Sequence, residues 1–180
     1  MKKWKISLLV LLCCSFLVSC NIDAQEQEMP DIVFSYEVIF DDEDMYEIWF
    51  IDKQGNIYFS AEGDIVVCEF QERVQKYANG ELNDKILHVG TVEVSELKKY
   101  YKLLQKVGNN EGFQLVFDGV GRNVEMPLLL WYGTYYNLDG EMENCLLYRD
   151  GSEARVPNDS NASDIVEWMN SLMESTKPKE

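Results

Sequence analysis

Apolar and aromatic positions gather in short runs over the first part of the chain. Residues 32–40 are rich in Val, Ile, Phe and Tyr. The acidic run Asp41, Asp42, Glu43 and Asp44 breaks them, and an apolar pattern resumes over 45–51. Residues 52–56 (Asp-Lys-Gln-Gly-Asn) offer a glycine able to take positive φ, and 57–60 are again apolar and aromatic. Strand, glycine turn and strand predict a β-hairpin. A further short apolar run at 65–70 reads as another strand.

The period then changes. Phe70, Val74 and Tyr77 fall at helical spacing before Asn79 and Gly80, which predicts a short helix with a glycine stop. Leu97, Tyr100, Tyr101, Leu104 and Val107 repeat the helical spacing more fully, with Ser95 as the expected cap and Gly108 at the end. Lys98, Lys99, Lys102 and Lys106 lie between them, giving an amphipathic helix with a basic outer side that docks on a sheet. Strands return at 113–117 and at 128–136, the latter apolar or aromatic on both faces as in a strand covered on both sides. Residues 137–140 turn the chain and 144–148 pair back. A polar loop over 149–160 leads to a last helix, with Asn161 or Ser163 as cap and Ile165, Trp168, Met169 and Leu172 on one face. The pattern predicts an α+β fold: a single domain with a mostly antiparallel sheet and about three helices packed on it.

The N-terminal end follows a different rule. Lys2, Lys3 and Lys5 precede an apolar stretch over 6–18, and Leu17, Val18, Ser19 and Cys20 close it. A positive end, an apolar core too short for a comfortable membrane span and a small residue before a cysteine make up a secretory signal. Leu17 to Cys20 resembles the lipobox of bacterial lipoproteins. The resemblance implies a diacylglyceryl group on the Cys20 thiol, cleavage on its N-terminal side and a cell-membrane location on the extracytoplasmic face. The expected organisation is a signal peptide over 1–19, a flexible tether over 20–30, one domain over 31–175 and a frayed end over 176–180. The ten tether residues after Cys20 span on the order of 30 Å when extended. The turn at 51–58, the strand at 131–136 with Asp139 and Gly140, and the closing 165–169 resemble small, uncharacterised lipoproteins of Gram-positive bacteria. That likeness carries no activity.

Cleavage alters the charge. The chain has 16 basic and 32 acidic residues, and the signal removes three lysines and no acid, leaving a net charge near −19. Such a balance argues against nucleic acid and anionic lipid as partners, because both require clustered Lys and Arg. Of five cysteines, Cys13 and Cys14 leave with the signal and Cys20 takes the lipid, so Cys68 and Cys145 remain as a possible disulfide or as two free thiols.

Few chemistries find their residues. His88 is the only histidine and sits between Leu87 and Val89, which reads as a structural side chain in apolar surroundings. One histidine is too few for multi-histidine metal sites, and no G-x-G-x-x-G, Walker or C-x-x-C motif occurs in the mature chain. No cofactor is expected. The run at 41–44 and the spacing Asn137, Asp139, Glu141 and Glu143 invite a calcium reading, but glycine arrives too early for an EF-hand and Tyr148 stands where the bidentate Glu belongs. A solvated hairpin turn is the expectation for both. Trp131, Tyr132, Tyr135 and Tyr136, with Trp49, Tyr58 and Trp168, could form a platform for a sugar or peptide. Alternation divides the first four between two faces, and core is their expected role. The lipobox resemblance implies lipid anchoring, and the expected function is a non-enzymatic module that binds a protein or a small ligand. The alternatives are a carboxylate-dependent enzyme acting on envelope glycan and an acidic protein that sequesters cationic peptides.

Overall fold

The hairpin is built on a glycine turn. Strands β2 (Tyr46–Asp52) and β3 (Asn56–Ser60) pair antiparallel around Gly55, whose φ is +85°. A Cβ there would fall 2.2 Å from the Val92 carbonyl oxygen, so glycine is required for backbone sign and for space alike. The computed structural model describes residues 28–40, 46–61, 70–108, 113–116, 127–150, 154–157 and 159–178.

Strand β1 (Ile32–Ile39) lies at the middle of the sheet, between β2 and β6 (Leu128–Tyr136). With β4 (Leu87–Thr91), β5 (Phe113–Val116), β7 (Met142–Asp150) and β8 (Ala154–Pro157), the eight strands run in the order β4-β3-β2-β1-β6-β7-β8-β5. Every described pairing is antiparallel. Helix α1 (Phe70–Ala78) contributes Val74 to one core, and α2 (Val94–Gly108) and α3 (Ser160–Thr176) contribute to the other. The fold is α+β with an antiparallel sheet, as the pattern predicts.

Pleating sorts the side chains between these cores. On the α2–α3 face, Phe59, Trp49, Tyr36, Trp131 and Tyr148 are direct cross-strand partners on five successive strands. Successive ring centroids are 4.5, 5.7, 4.5 and 5.0 Å apart, the separation at which tilted aromatic pairs attract. Helix α3 caps this row, with Asn170 Oδ1 accepting from Trp131 Nε1 at 3.1 Å. Trp168 joins both helices to β1: it meets Phe34 edge-on, stacks on Tyr100 at 4.1 Å and donates to Glu96 Oε1 at 2.9 Å. Gly133 leaves room for Leu104, since a Cβ there would lie 2.5 Å from Leu104 Cδ1.

The opposite face is smaller and partly polar. Ile32, Ile48, Phe50, Val74 and Leu82 form its apolar centre. Glu37 (7% exposed) projects from β1 and forms an ion pair with Arg73 (2% exposed) of α1.

Several boundaries differ from the sequence reading. β4 and β8 are strands where the pattern predicts none: β4 is mostly exposed or half-buried, so it carries no apolar period, and β8 has only four residues. Helix α3 is capped by Asp159, whose carboxylate accepts from Asn161 N at 2.8 Å, in place of Asn161 or Ser163. In α2 the first amide bonds run from Glu96 and Leu97 to the Glu93 carbonyl, which places Ser95 inside the first turn. The glycine stop of α1 is present, with Gly80 at φ +73° and Glu81 N bonded to Lys76 O. The acidic run at 41–44 and residues 65–69 of the expected strand lie outside the described residues; Phe70 opens α1.

Removing one member of a buried pair strands the other charge, so Glu37→Ala or Arg73→Met should each cost about 3–5 kcal/mol in urea unfolding. The double variant Glu37→Leu/Arg73→Met should lose much less than the sum. Single losses within experimental error would show that the pair does not hold α1.

Candidate binding cleft

Asp52, the last residue of β2, is 1% exposed and collects four donors. Oδ1 accepts from Gln54 N (2.9 Å) and Asn56 N (2.8 Å), and Oδ2 accepts from Asn56 Nδ2 (2.9 Å) and the Tyr77 hydroxyl (2.6 Å). Four donors satisfy both oxygens of a carboxylate that water does not reach. The carboxylate also fixes the turn and, through Tyr77, draws the end of α1 onto the sheet.

Beside it opens a cleft of about 460 Å³ lined by Asp31, Gln54, Tyr58, Tyr77, Asn83 and His88. Tyr58 and His88 are opposite partners on β3 and β4, their rings 5.6 Å apart and edge-on. Tyr58 also stacks on Phe50 at 5.2 Å and lies 5.7 Å from the Tyr77 ring. The volume falls in the range of small-ligand sites.

The charged groups here are already engaged. Asp31 Oδ1 is 2.7 Å from Lys53 Nζ, and that hydrogen bond holds the ammonium pKa above its ordinary value. Burial, followed by hydrogen bonds to Asp52 and Tyr58, raises the Tyr77 pKa strongly and keeps its hydroxyl a protonated donor. The cleft can therefore offer neutral donors, acceptors and ring surface.

This corrects the reading of His88. The residue is exposed at the sheet edge, beside Leu87 at 59% exposure, and it lines the cleft. Its apolar sequence neighbours belong to a short edge strand with little cover. Asp52, Tyr77, Asn83 and Gln54 carry no motif; the hint for Asp52 is an Asp opening a turn that ends in Gly-Asn, where a carboxylate can bond the amides two and four residues on.

The other candidates fall elsewhere. Cys20 and Cys68 lie outside the described residues. Cys145, on β7 opposite Gly133, is a half-buried free thiol, its pKa pushed up to about 11 by burial and then by the Glu143 charge. Asn137 and Glu143 brace the hairpin: Asn137 Oδ1 accepts from Asp139 N and Glu141 N, while Glu143 accepts from Asn137 Nδ2 and the Tyr135 hydroxyl, both at 2.6 Å. Those two bonds, the Tyr135 one first, lower the Glu143 pKa. Trp49, Trp131, Tyr135 and Trp168 are core, as expected, and Tyr58 alone of that aromatic group lines this cleft.

Five tyrosines share a direction. Burial raises Tyr36 to about 12 and also raises Tyr77, Tyr101, Tyr132 and Tyr135. Their neutral forms are favoured by folding, so that stabilisation is complete below the unfolded value near 10 and is lost as pH climbs from about 10 through 12. In an alkaline titration, tyrosinate absorbance of these groups should appear together with loss of circular dichroism; full ionisation near pH 10 with the fold intact would contradict it. A scan against family models and searches of curated proteins and solved structures find no match to this chain.

Proposed function

We propose that this chain is a lipid-anchored extracytoplasmic protein whose domain binds a small ligand or a protein partner without transforming it, with the Tyr58–Tyr77–His88 cleft as its binding site. The observation that carries the binding half is the state of the cleft's carboxylates. A hydrolase of the glycosidase kind needs two converging carboxyl groups with separated pKa values. Here Asp31 is paired with Lys53 and Asp52 is saturated by four donors, which leaves a fixed surface for recognition.

The anchoring half rests on the sequence ending at Leu17, Val18, Ser19 and Cys20. No helix among the described residues is long and apolar enough to cross a membrane. In this reading the Cys20 lipid is the membrane partner, the polar residues up to 30 hold the domain clear of the headgroups, and an acidic surface keeps it soluble there. A second lipid or basic patch is the usual requirement for stable anchoring by a single acyl chain; a diacylglyceryl group supplies two chains at one site.

In bacterial cells making the full chain, Cys20→Ala should abolish incorporation of labelled fatty acid and leave the protein unprocessed. A variant that matures normally and fractionates with membrane as the parent does would remove the lipid anchor from the account.

A further inference from the structure

The cleft's chemistry narrows its ligand. We infer that it takes an uncharged, polyhydroxylated ligand, a neutral sugar unit of an oligosaccharide, resting on the reading of this cleft as the binding site. The formal charge of −16 alone would suggest a cation. The local arrangement points elsewhere, because the lining carboxylate Asp31 is matched by Lys53 at 2.7 Å and the neighbouring Asp52 is buried and fully bonded. A cationic ligand would meet a carboxylate already matched by Lys53.

The groups left over are neutral and planar. The amides of Gln54 and Asn83, both exposed, each present a donor and an acceptor on one fork, which matches adjacent hydroxyls on a sugar ring. His88, exposed at the edge, adds one donor and one acceptor in its neutral form. The Tyr58 and Tyr77 rings, held 5.7 Å apart and tilted, supply apolar surface for the C–H face of the same ring. Their positions are set by Phe50 behind them, stacked on Tyr58 at 5.2 Å and edge-on to Tyr77 at 5.4 Å, so little order has to be created on binding. His88 places one wall of the cleft on β4, the last strand in the order of the described sheet.

The test uses the mature lipidated chain in detergent micelles on an array of neutral, acidic and amino-sugar oligosaccharides, with tetralysine as a soluble competitor. Binding should be confined to neutral glycans, resist tetralysine, and fall on the order of tenfold in Gln54→Ala/Asn83→Ala, whose circular dichroism should match the parent. Glycan binding that this variant leaves unchanged would place the sugar elsewhere and overturn the inference. Capture of tetralysine at the array's expense, lost in the same variant, would overturn the sugar and keep the cleft as a binding site. Binding to neither would overturn the sugar inference.

Discussion

One buried carboxylate ties the β2–β3 turn and the end of α1 together. Asp52 closes the β2–β3 turn through two backbone amides and the Asn56 side chain, and it receives the Tyr77 hydroxyl from α1. Without those four donors its charge would be costly at 1% exposure. With them, the turn, the helix end and one wall of the cleft become a single unit. The turn in turn receives β4: Val92 N bonds Gly55 O at 2.8 Å, and the Gly55 backbone lies against the Val92 carbonyl.

The sheet's two faces obey different rules. The α2–α3 face is held by area and ring geometry, with the cross-strand aromatic row and Trp168 as its fixed points. The α1 face carries a smaller apolar cluster and depends on polar matching at Asp52–Tyr77 and Glu37–Arg73. A face organised by directed hydrogen bonds can leave planar polar groups at its rim, and there the cleft opens.

What could be read from sequence follows from the same division. The hairpin, the amphipathic α2 and α3 and the two-sided β6 were legible because burial writes a period into the chain. Leu97, Tyr101 and Leu104 mark their helix face, and Trp131 and Tyr135 mark their strand face. β4 was not legible, since an edge strand owes its form to a neighbour's backbone and needs no apolar pattern, and β8, held between β7 and β5, is only four residues long. Glu37 inside an otherwise apolar strand signals a buried charge seeking a partner, yet nothing local names Arg73, 36 residues away. The cleft was hidden for that reason: Asp31, Tyr58, Tyr77 and His88 come from four separate segments, and only the fold brings them together.

Amide hydrogen exchange on Asp52→Ala tests the central claim most directly. Loss of the carboxylate should expose the amides of Gln54 and Asn56, loosen α1 and β4, and leave β6, β7 and α3 protected as in the parent. Unchanged protection at Gln54 and Asn56, or equal loss across the whole sheet, would contradict the claim that Asp52 organises this end of the fold.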